Sequence, residues 1–589
     1  VTGGRSKSEA STRHVFLLVI FLSLFAVVAG RLVWIQAVAA DGLAEKAFNQ
    51  RLKDVELAPR RGTVYDREGE PLAVTVEAKT VYVAPNQVED KEAVAVALAQ
   101  ALGGDVNAYR KRLSRDSGFE YVARKVDVDR AAELKAILED QDLKGVGFIE
   151  DYRRLYPSGE LACQVLGFVG TDDKGLAGIE SAYDEVLSGT PGVLLGERDP
   201  SGRPIPGGVQ KEIPPTHGHD VVLTIDKDIQ YESQVALAEA IKKWGAKSGS
   251  VIVMNPRNGE IYAMTSWPGF NPNEFRKAAD GAIRNKPICD TYEPGSTIKA
   301  LTAAAVIEKG VYGPDSKLSL PSTIKVGGRT IHESHGRGAV TWTLTDIVTK
   351  SSNVGSVKLG MKLGGPGLYK AFTSFGVNAK TGVDFPGEAS GSLPKLSQWS
   401  SSSIGNIPFG QGLAVTPLQL SRAISAIANG GMMPTPHFLL EVPNSDAVET
   451  GWASQRATNA TTAAAVNRIL QAVVTEGTGS AAAVKGYAVA GKTGTAQKAA
   501  PGGGGYASGL YVGSFIGYLP AEDPQVLVCV TIDEPSNAIY GATVAAPTFS
   551  RLAGFAVSHL KIPPSTAVQS QTTTSTQGHE TVSKDARDE

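Results

Sequence analysis

A serine hydroxyl becomes a nucleophile when a nearby amine can take its proton, and on a helix residues i and i+3 share one face. Ser-x-x-Lys occurs, among other places, as Ser296-Thr-Ile-Lys299, Ser322-Thr-Ile-Lys325 and Ser392-Leu-Pro-Lys395. The first two tetrapeptides are identical, so only their surroundings can separate them. Ser296 follows Pro294-Gly295 and opens an Ala-rich stretch, Thr297–Lys309, with Gly310 as its stop; this predicts a helix. Ser322 leads into Val326-Gly327-Gly328, which predicts strand or turn, where i and i+3 point to opposite faces. Ser392 has Pro394 inside its motif. Ser296 and Lys299 are therefore the candidate nucleophile and base. A serine in the first turn of a helix also carries an unpaired backbone N–H at the positive end of the dipole, half of an oxyanion hole. The same position suits a plain N-cap.

Two further segments supply partners. Asn353 is the only asparagine with serine two positions earlier, in Ser351-Ser352-Asn353, just past the helical pattern Leu344–Lys350. A hydroxyl and an amide at that spacing can relay a proton and hold a peptide amide. Lys-Thr-Gly occurs twice. Lys380-Thr381-Gly382 precedes a turn-like Val383-Asp-Phe-Pro-Gly387, whereas Lys492-Thr493-Gly494-Thr495 follows the strand-like Tyr487-Ala-Val-Ala-Gly491. A strand bearing Lys492 and Thr493 can wall a cleft and bind a carboxylate, with Gly494 admitting substrate backbone.

The elements that must position these groups are legible in outline. Asp220–Ile225 reads as a strand, Ile229–Lys243 as a long helix, and Gly249–Asn255 with Glu260–Thr265 as a hairpin around Asn258-Gly259. Leu510–Leu519 and Gln525–Ile532 form a second strand pair, followed by a helical Thr548–Leu560. Strands at both ends with helices between predict an α+β domain whose antiparallel sheet gathers the two ends. Ahead of it, the mixed polar zone 36–217 contains helical stretches Val88–Leu102 and Asp129–Leu138 and closes on a Gly/Pro-rich passage from Asp199 and on Pro214-Pro215. The boundaries expected are a tail at 1–13, an anchor at 14–35, a first domain at 36–217, a catalytic domain at 218–562 and a disordered polar tail at 563–589.

The amino terminus points to a membrane. Val15 to Gly30 is almost unbroken apolar sequence, extended by Leu32-Val33-Trp34-Ile35 past Arg31, whose side chain can snorkel to the headgroups. Arg5, Lys7 and Arg13 precede it, which predicts a cytoplasmic amino terminus and an extracytoplasmic remainder. Ala37-Val38-Ala39 offers a signal-peptidase reading, but Arg31 and Gln36 intrude between it and the apolar run. Lys and Arg total 58 against 60 Asp and Glu, a net charge of −2, so no nucleic-acid partner is expected. Three scattered cysteines make no disulfide framework. His332-Glu333-Ser334-His335 has i,i+3 rather than i,i+4 spacing, and no metal is expected there.

Taken in order, Ser-x-x-Lys, Ser-x-Asn and Lys-Thr-Gly resemble the three motifs that line one cleft in the active-site-serine penicillin-recognising enzymes. Arg61-Gly-Thr-Val-Tyr-Asp66-Arg67-Glu-Gly69, Arg154-Leu-Tyr-Pro157, Leu166-Gly-Phe-Val-Gly170 and Gly178-Ile-Glu180 are similar to motifs in the pedestal of class B penicillin-binding proteins. Phe270-Asn-Pro-Asn273, Tyr292-Glu-Pro-Gly295 and Phe409-Gly-Gln-Gly412 resemble that family's catalytic domain. The length, and no added carboxyl-terminal sensor domain, look most like the division-type members, with elongation-type members next.

The resemblance implies one membrane anchor, an elongated α+β pedestal of the dimerisation type and a penicillin-recognising transpeptidase domain. It implies that Ser296 attacks the bond between two D-alanines of a peptidoglycan stem peptide, with Lys299 as base and Ser351 passing the proton to the leaving D-alanine. Asn353 would hold the donor amide, Lys492, Thr493, Gly494 and Thr495 the terminal carboxylate, and the N–H groups of Ser296 and Thr495 the oxyanion. β-Lactams would acylate the same serine. It further implies an FtsW/RodA-type glycan polymerase and other division proteins as partners, and no cofactor. A hydrolase would need a positioned water base, and no Glu-x-x-Leu-Asn motif supplies one. A penicillin-binding but catalytically idle division scaffold is the reading of another class.

Overall fold

The computed structural model describes residues 6–43, 46, 52–197, 210–445, 451–500 and 505–565. The Gly/Pro-rich passage from Asp199 and the tail beyond residue 565 lie outside the described residues. Ser6–Val33 is one α-helix, continued by a π-helical turn over Trp34–Val38. The span Thr12–Val38 contains an 18-residue window of mean hydropathy 2.6 and is long and apolar enough to cross a membrane.

The chain divides into two compact units, one of residues 1–59, 78–151 and 189–217, the other of 60–77, 152–188 and 218–589. In the first, Leu52–Leu57, Gly192–Glu197 and Gln210–Ile213 make an antiparallel sheet. Three helices, Lys91–Leu102, Val106–Leu113 and Val128–Asp140, cover a core of Val81, Val83, Leu98, Leu113 and Leu134. The first of these starts later than its apolar pattern because the Asp90 side chain accepts the Ala93 N–H at 2.9 Å and caps it there.

The second unit is built on a five-stranded antiparallel sheet in the order Ile261–Trp267, Ser248–Met254, Val526–Asp533, Tyr506–Leu519, Ala490–Ala499. Both faces are covered. Val251, Val253, Phe515, Val528 and Val530 pack against helices Lys227–Trp244 and Ala546–His559. Ile252, Met254, Ile516 and Cys529 face the larger core, which holds helices Lys299–Glu308, Asn353–Ser374 and Pro417–Ala428. Burial on both faces explains why these strands read as near-continuous apolar runs. Ala490–Ala499 is the edge strand, which leaves one side of its backbone free for a ligand.

Segments 60–77 and 152–188, which composition places in the pedestal, belong to this second unit. Their motifs converge. Glu180, fully buried, accepts from Arg61 Nε at 2.7 Å and Arg154 Nε at 2.6 Å, while Arg61 also pairs with Asp184 at 2.7 Å. Val64–Tyr65 pairs in parallel with Val221–Leu223. Such long-range pairing leaves no trace in local composition. Glu180→Ala strands two buried guanidinium groups and should cost about 3–5 kcal/mol, read as a fall in the urea midpoint. At the other end, Ser565 donates its N–H to Gly486 O and accepts from Ala488 N. The packed chain therefore runs past the Pro563 boundary, because backbone pairing outlasts the proline break.

Candidate active site

Ser296 lies in a 3₁₀ turn, Gly295–Ile298, and the α-helix begins only at Lys299. That differs from the continuous helix expected, and it favours the pair: with three residues per turn, i and i+3 eclipse one another. Gly295 has φ +54° and donates its N–H to Gly410 O at 3.0 Å. A Cβ on Gly410, itself at φ +88°, would sit 2.0 Å from Gly295 O, so the Phe409-Gly-Gln-Gly412 loop holds the nucleophile turn by close backbone approach.

Lys299 is 1% exposed. Its Nζ donates to Ser351 O at 2.6 Å and to Asn353 Oδ1 at 2.8 Å, and Ser351 Oγ lies 3.3 Å away. Both short partners are carbonyl oxygens, which can only accept. They use both hydrogens of a neutral amine and leave its lone pair for a hydroxyl. Burial pushes the Lys299 amine well below the ordinary lysine range, and the charge of Lys492 adds to this while Glu333 opposes it.

Ser351 is presented unusually. It has φ +57°, a left-handed conformation that costs a serine about 1–3 kcal/mol and turns its carbonyl toward Lys299. Ser352 then caps the next helix by accepting the Gly355 N–H at 2.8 Å. Asn353 Nδ2 donates to His332 O at 3.0 Å, so one Nδ2 hydrogen remains for a ligand.

Lys492 enters from the edge strand, paired opposite Ile516, and is fully buried. Its Nζ donates to Ser351 Oγ at 3.1 Å and to Thr493 O at 3.1 Å. Desolvation lowers its pKa to about 7. Thr493 Oγ1 is 2.9 Å from Thr478 Oγ1, and Thr495 Oγ1 accepts the Gly541 N–H at 3.0 Å, which leaves the Thr495 hydroxyl hydrogen for a ligand. At Gly494 a Cβ would meet Ser514 Oγ at 2.3 Å and Thr297 Cγ2 at 3.0 Å.

Ser296, Ser351, Asn353, Thr493 and Thr495 line one cleft of about 640 Å³, with Lys299 and Lys492 buried beside it. The alternative motifs lie elsewhere. Ser322 and Lys325 are exposed, the lysine on the hairpin strand Thr323–Val326; Ser392, Lys395 and Lys380 are exposed too. Four contributors were not singled out from sequence as site residues. Glu333 accepts from Ser352 Oγ and from Asn353 N, both at 2.6 Å; Thr478 meets Thr493; and His335 and Tyr540 stand 5.4 Å apart, ring to ring, among the lining residues. The His332-Glu333-Ser334-His335 cluster was a visible signal, but its acid serves hydrogen bonding. Thr478 has only flanking glycines to mark it.

The description "Penicillin binding protein transpeptidase domain" matches residues 249–554, and "Penicillin-binding Protein dimerisation domain" matches 56–223. The chain is 34% identical to penicillin-binding protein PbpB of Mycobacterium tuberculosis over 92% of its own length and 84% of that protein. It is 32% identical to peptidoglycan D,D-transpeptidase FtsI of Escherichia coli, over 94% and 93%. The crystal structure of penicillin binding protein 3 from Mycobacterium tuberculosis complexed with aztreonam superposes with a TM-score of 0.68 at 30% identity, covering 87% of this chain and 98% of that one. The chain belongs to the penicillin-binding protein transpeptidase family, on the class B plan of a dimerisation-type domain ahead of the transpeptidase domain.

Proposed function

We propose that this protein is a membrane-anchored peptidoglycan D,D-transpeptidase, a target of β-lactams, that works through a seryl acyl-enzyme at Ser296. The observation that carries the assignment is the buried Lys299 amine, held by two carbonyl acceptors with its lone pair left for a serine hydroxyl.

Ser296 Oγ attacks the carbonyl carbon of the penultimate D-alanine and its proton passes to Lys299 Nζ. The N–H groups of Ser296 and Thr495 receive the oxyanion; a Cβ on Gly295 would lie 3.1 Å from Thr495 O, so the two segments are neighbours. Collapse breaks the C–N bond, and the departing D-alanine nitrogen takes a proton through Ser351 Oγ, which lies between the two lysine amines. The ester is then attacked by an acceptor amine, whose proton returns through the same lysine to Ser296. The free Asn353 Nδ2 hydrogen holds the donor peptide carbonyl. Lys492 supplies positive potential, and the hydroxyls of Thr493 and Thr495 bind the terminal carboxylate; Gly494, expected to admit substrate backbone, instead lets the strand approach Thr297 and Ser514.

The apolar helix Thr12–Val38 serves as the anchor, and the basic residues before it support a cytoplasmic amino terminus with the cleft outside. We assign 36–217 to the pedestal, with its segments 60–77 and 152–188 packed in the second unit, and 218–565 to the transpeptidase domain. Similarity to FtsI supports a septal role, with an FtsW/RodA-type polymerase contacting anchor and pedestal. The test is adduct mapping: after incubation with a penicillin, digestion and mass spectrometry should find the acyl mass on the peptide containing Ser296. An adduct on the Ser322 peptide, or none on folded protein, overturns the assignment.

A further inference from the structure

The Ser351–Asn353 turn carries most of the hydrogen bonds that fix Lys299, yet its own backbone is strained. What holds it is a carboxylate from outside the three motifs. Glu333 is 7% exposed and accepts two short bonds from consecutive residues of the turn, the Ser352 hydroxyl and the Asn353 N–H. Its Oε1 also receives Arg337 at 2.5 Å, and the Arg337 guanidinium lies 4.7 Å over the Trp342 ring. Lys350, one residue before the turn, has its amine 4.9 Å from the same ring.

We propose that Glu333 is a positioning residue of the transferase: it pins the Ser351–Asn353 turn so that Ser351 O and Asn353 Oδ1 meet Lys299. The inference rests on the assignment of Ser296 and Lys299 given above.

Two physical points support it. A left-handed serine is not held by its own preference, so surrounding bonds must over-determine it, and a buried ionised acceptor makes the strongest kind. The charges that bear on the pair come from four sides. Lys299 comes from the nucleophile helix and Lys492 from the edge strand; Arg337 and Glu333 sit on the loop before Val340–Thr343, and Lys350 ends the helix Leu344–Thr349. His332 and His335 flank Glu333 on its own segment and line the cleft. Glu333 is the acid whose charge is felt at Lys299, opposing both burial and Lys492. Removing that charge should lower the pH at which Lys299 loses its proton. Removing Arg337, which neutralises Glu333 from the outer side, should raise it.

The experiment measures acylation by a chromogenic β-lactam across pH on the full chain in detergent, with wild type, Glu333→Gln, Glu333→Asp and Arg337→Gln. We expect Glu333→Gln to acylate at least about tenfold more slowly at its optimum, since the turn that carries the Lys299 acceptors is loosened. Its acidic limb should lie about half a pH unit or more below that of wild type. Glu333→Asp should keep the wild-type limb, and Arg337→Gln should move it upward. A purely structural role would lower the active fraction and leave the limb in place. An unmoved limb in Glu333→Gln, whatever its rate, overturns the proposal. Should that variant not fold, an unmoved or lowered limb in Arg337→Gln does the same. If wild type itself is not acylated, the assignment of Ser296 fails instead, a distinguishable result.

Discussion

Lys299→Met should lose about a thousandfold in the rate of β-lactam acylation while keeping its fold, measured by stopped-flow with the thermal midpoint as control. A positioned base contributes about 10²–10⁴ in rate, and no other group here can replace it. Lys492 is the only other amine within reach of Ser351 Oγ among the described residues, but it has its own bonds to Thr493. Methionine matches the stem of the lysine and is apolar, so the fully buried site is not overpacked and the cost of hiding an amine disappears. Ser351 O and Asn353 Oδ1 lose their donor, which partly offsets that gain. The midpoint should therefore stay near wild type while the rate collapses. Lys299→Arg should be as slow, because a guanidinium stays charged and cannot accept a proton. A rate within tenfold of wild type in either variant would remove Lys299 from the role of base.

The catalytic set was legible where chemistry and local structure coincide. Ser296 was separable from Ser322 because the Ala-rich run after it can only be helix, while Gly327-Gly328 after Lys325 closes a hairpin; the structure has both. Lys492 was separable from Lys380 because strand pattern precedes one and turn residues surround the other. The five-stranded sheet followed from apolar runs at the two chain ends, and the hairpin from Asn258-Gly259. What was not legible depends on partners distant in sequence. Glu333 meets the Ser352-Asn353 turn only because the hairpin Thr323–His332 folds back on it, and local pattern cannot report that. The 3₁₀ start at Ser296 is imposed by Gly410 bracing Gly295 from more than a hundred residues away. Glu180 likewise gathers Arg61 and Arg154 across gaps of 119 and 26 residues.

Activity and stability should run in opposite directions on the alkaline side of neutrality. Acylation needs Lys299 neutral, so the rate rises with pH through a pKa that burial and the Lys492 charge hold well below the usual lysine value. It needs Lys492 charged, so the rate falls as pH rises through about 7, where desolvation has brought that amine. The second-order rate constant, which reports the free enzyme, should therefore be bell-shaped, with its alkaline limb near pH 7. The two amines share Ser351 Oγ, so the limbs belong to the pair. A carboxylate bound beside Lys492 stabilises its charged form, and the alkaline limb measured at saturating ligand should lie higher than in the free enzyme. Stability has the other sign. Both folded-state pKa values are depressed, so the unfolded chain binds more protons above pH 7, and by linkage these lysines make folding more favourable as pH rises toward their unfolded range. The raised pKa values of the buried thiols Cys163 and Cys529 begin to oppose this as pH nears 9, where the unfolded chain ionises them, and buried tyrosines such as Tyr156 and Tyr292 follow as pH nears 10. From about pH 7 to 8 the acylation rate should thus fall while the urea midpoint does not, and Lys492→Met should flatten the alkaline limb. A rate that keeps climbing to pH 9 in wild type would mean that the lysine on the edge strand acts without its charge, and the division of labour between the two buried amines would have to be reversed.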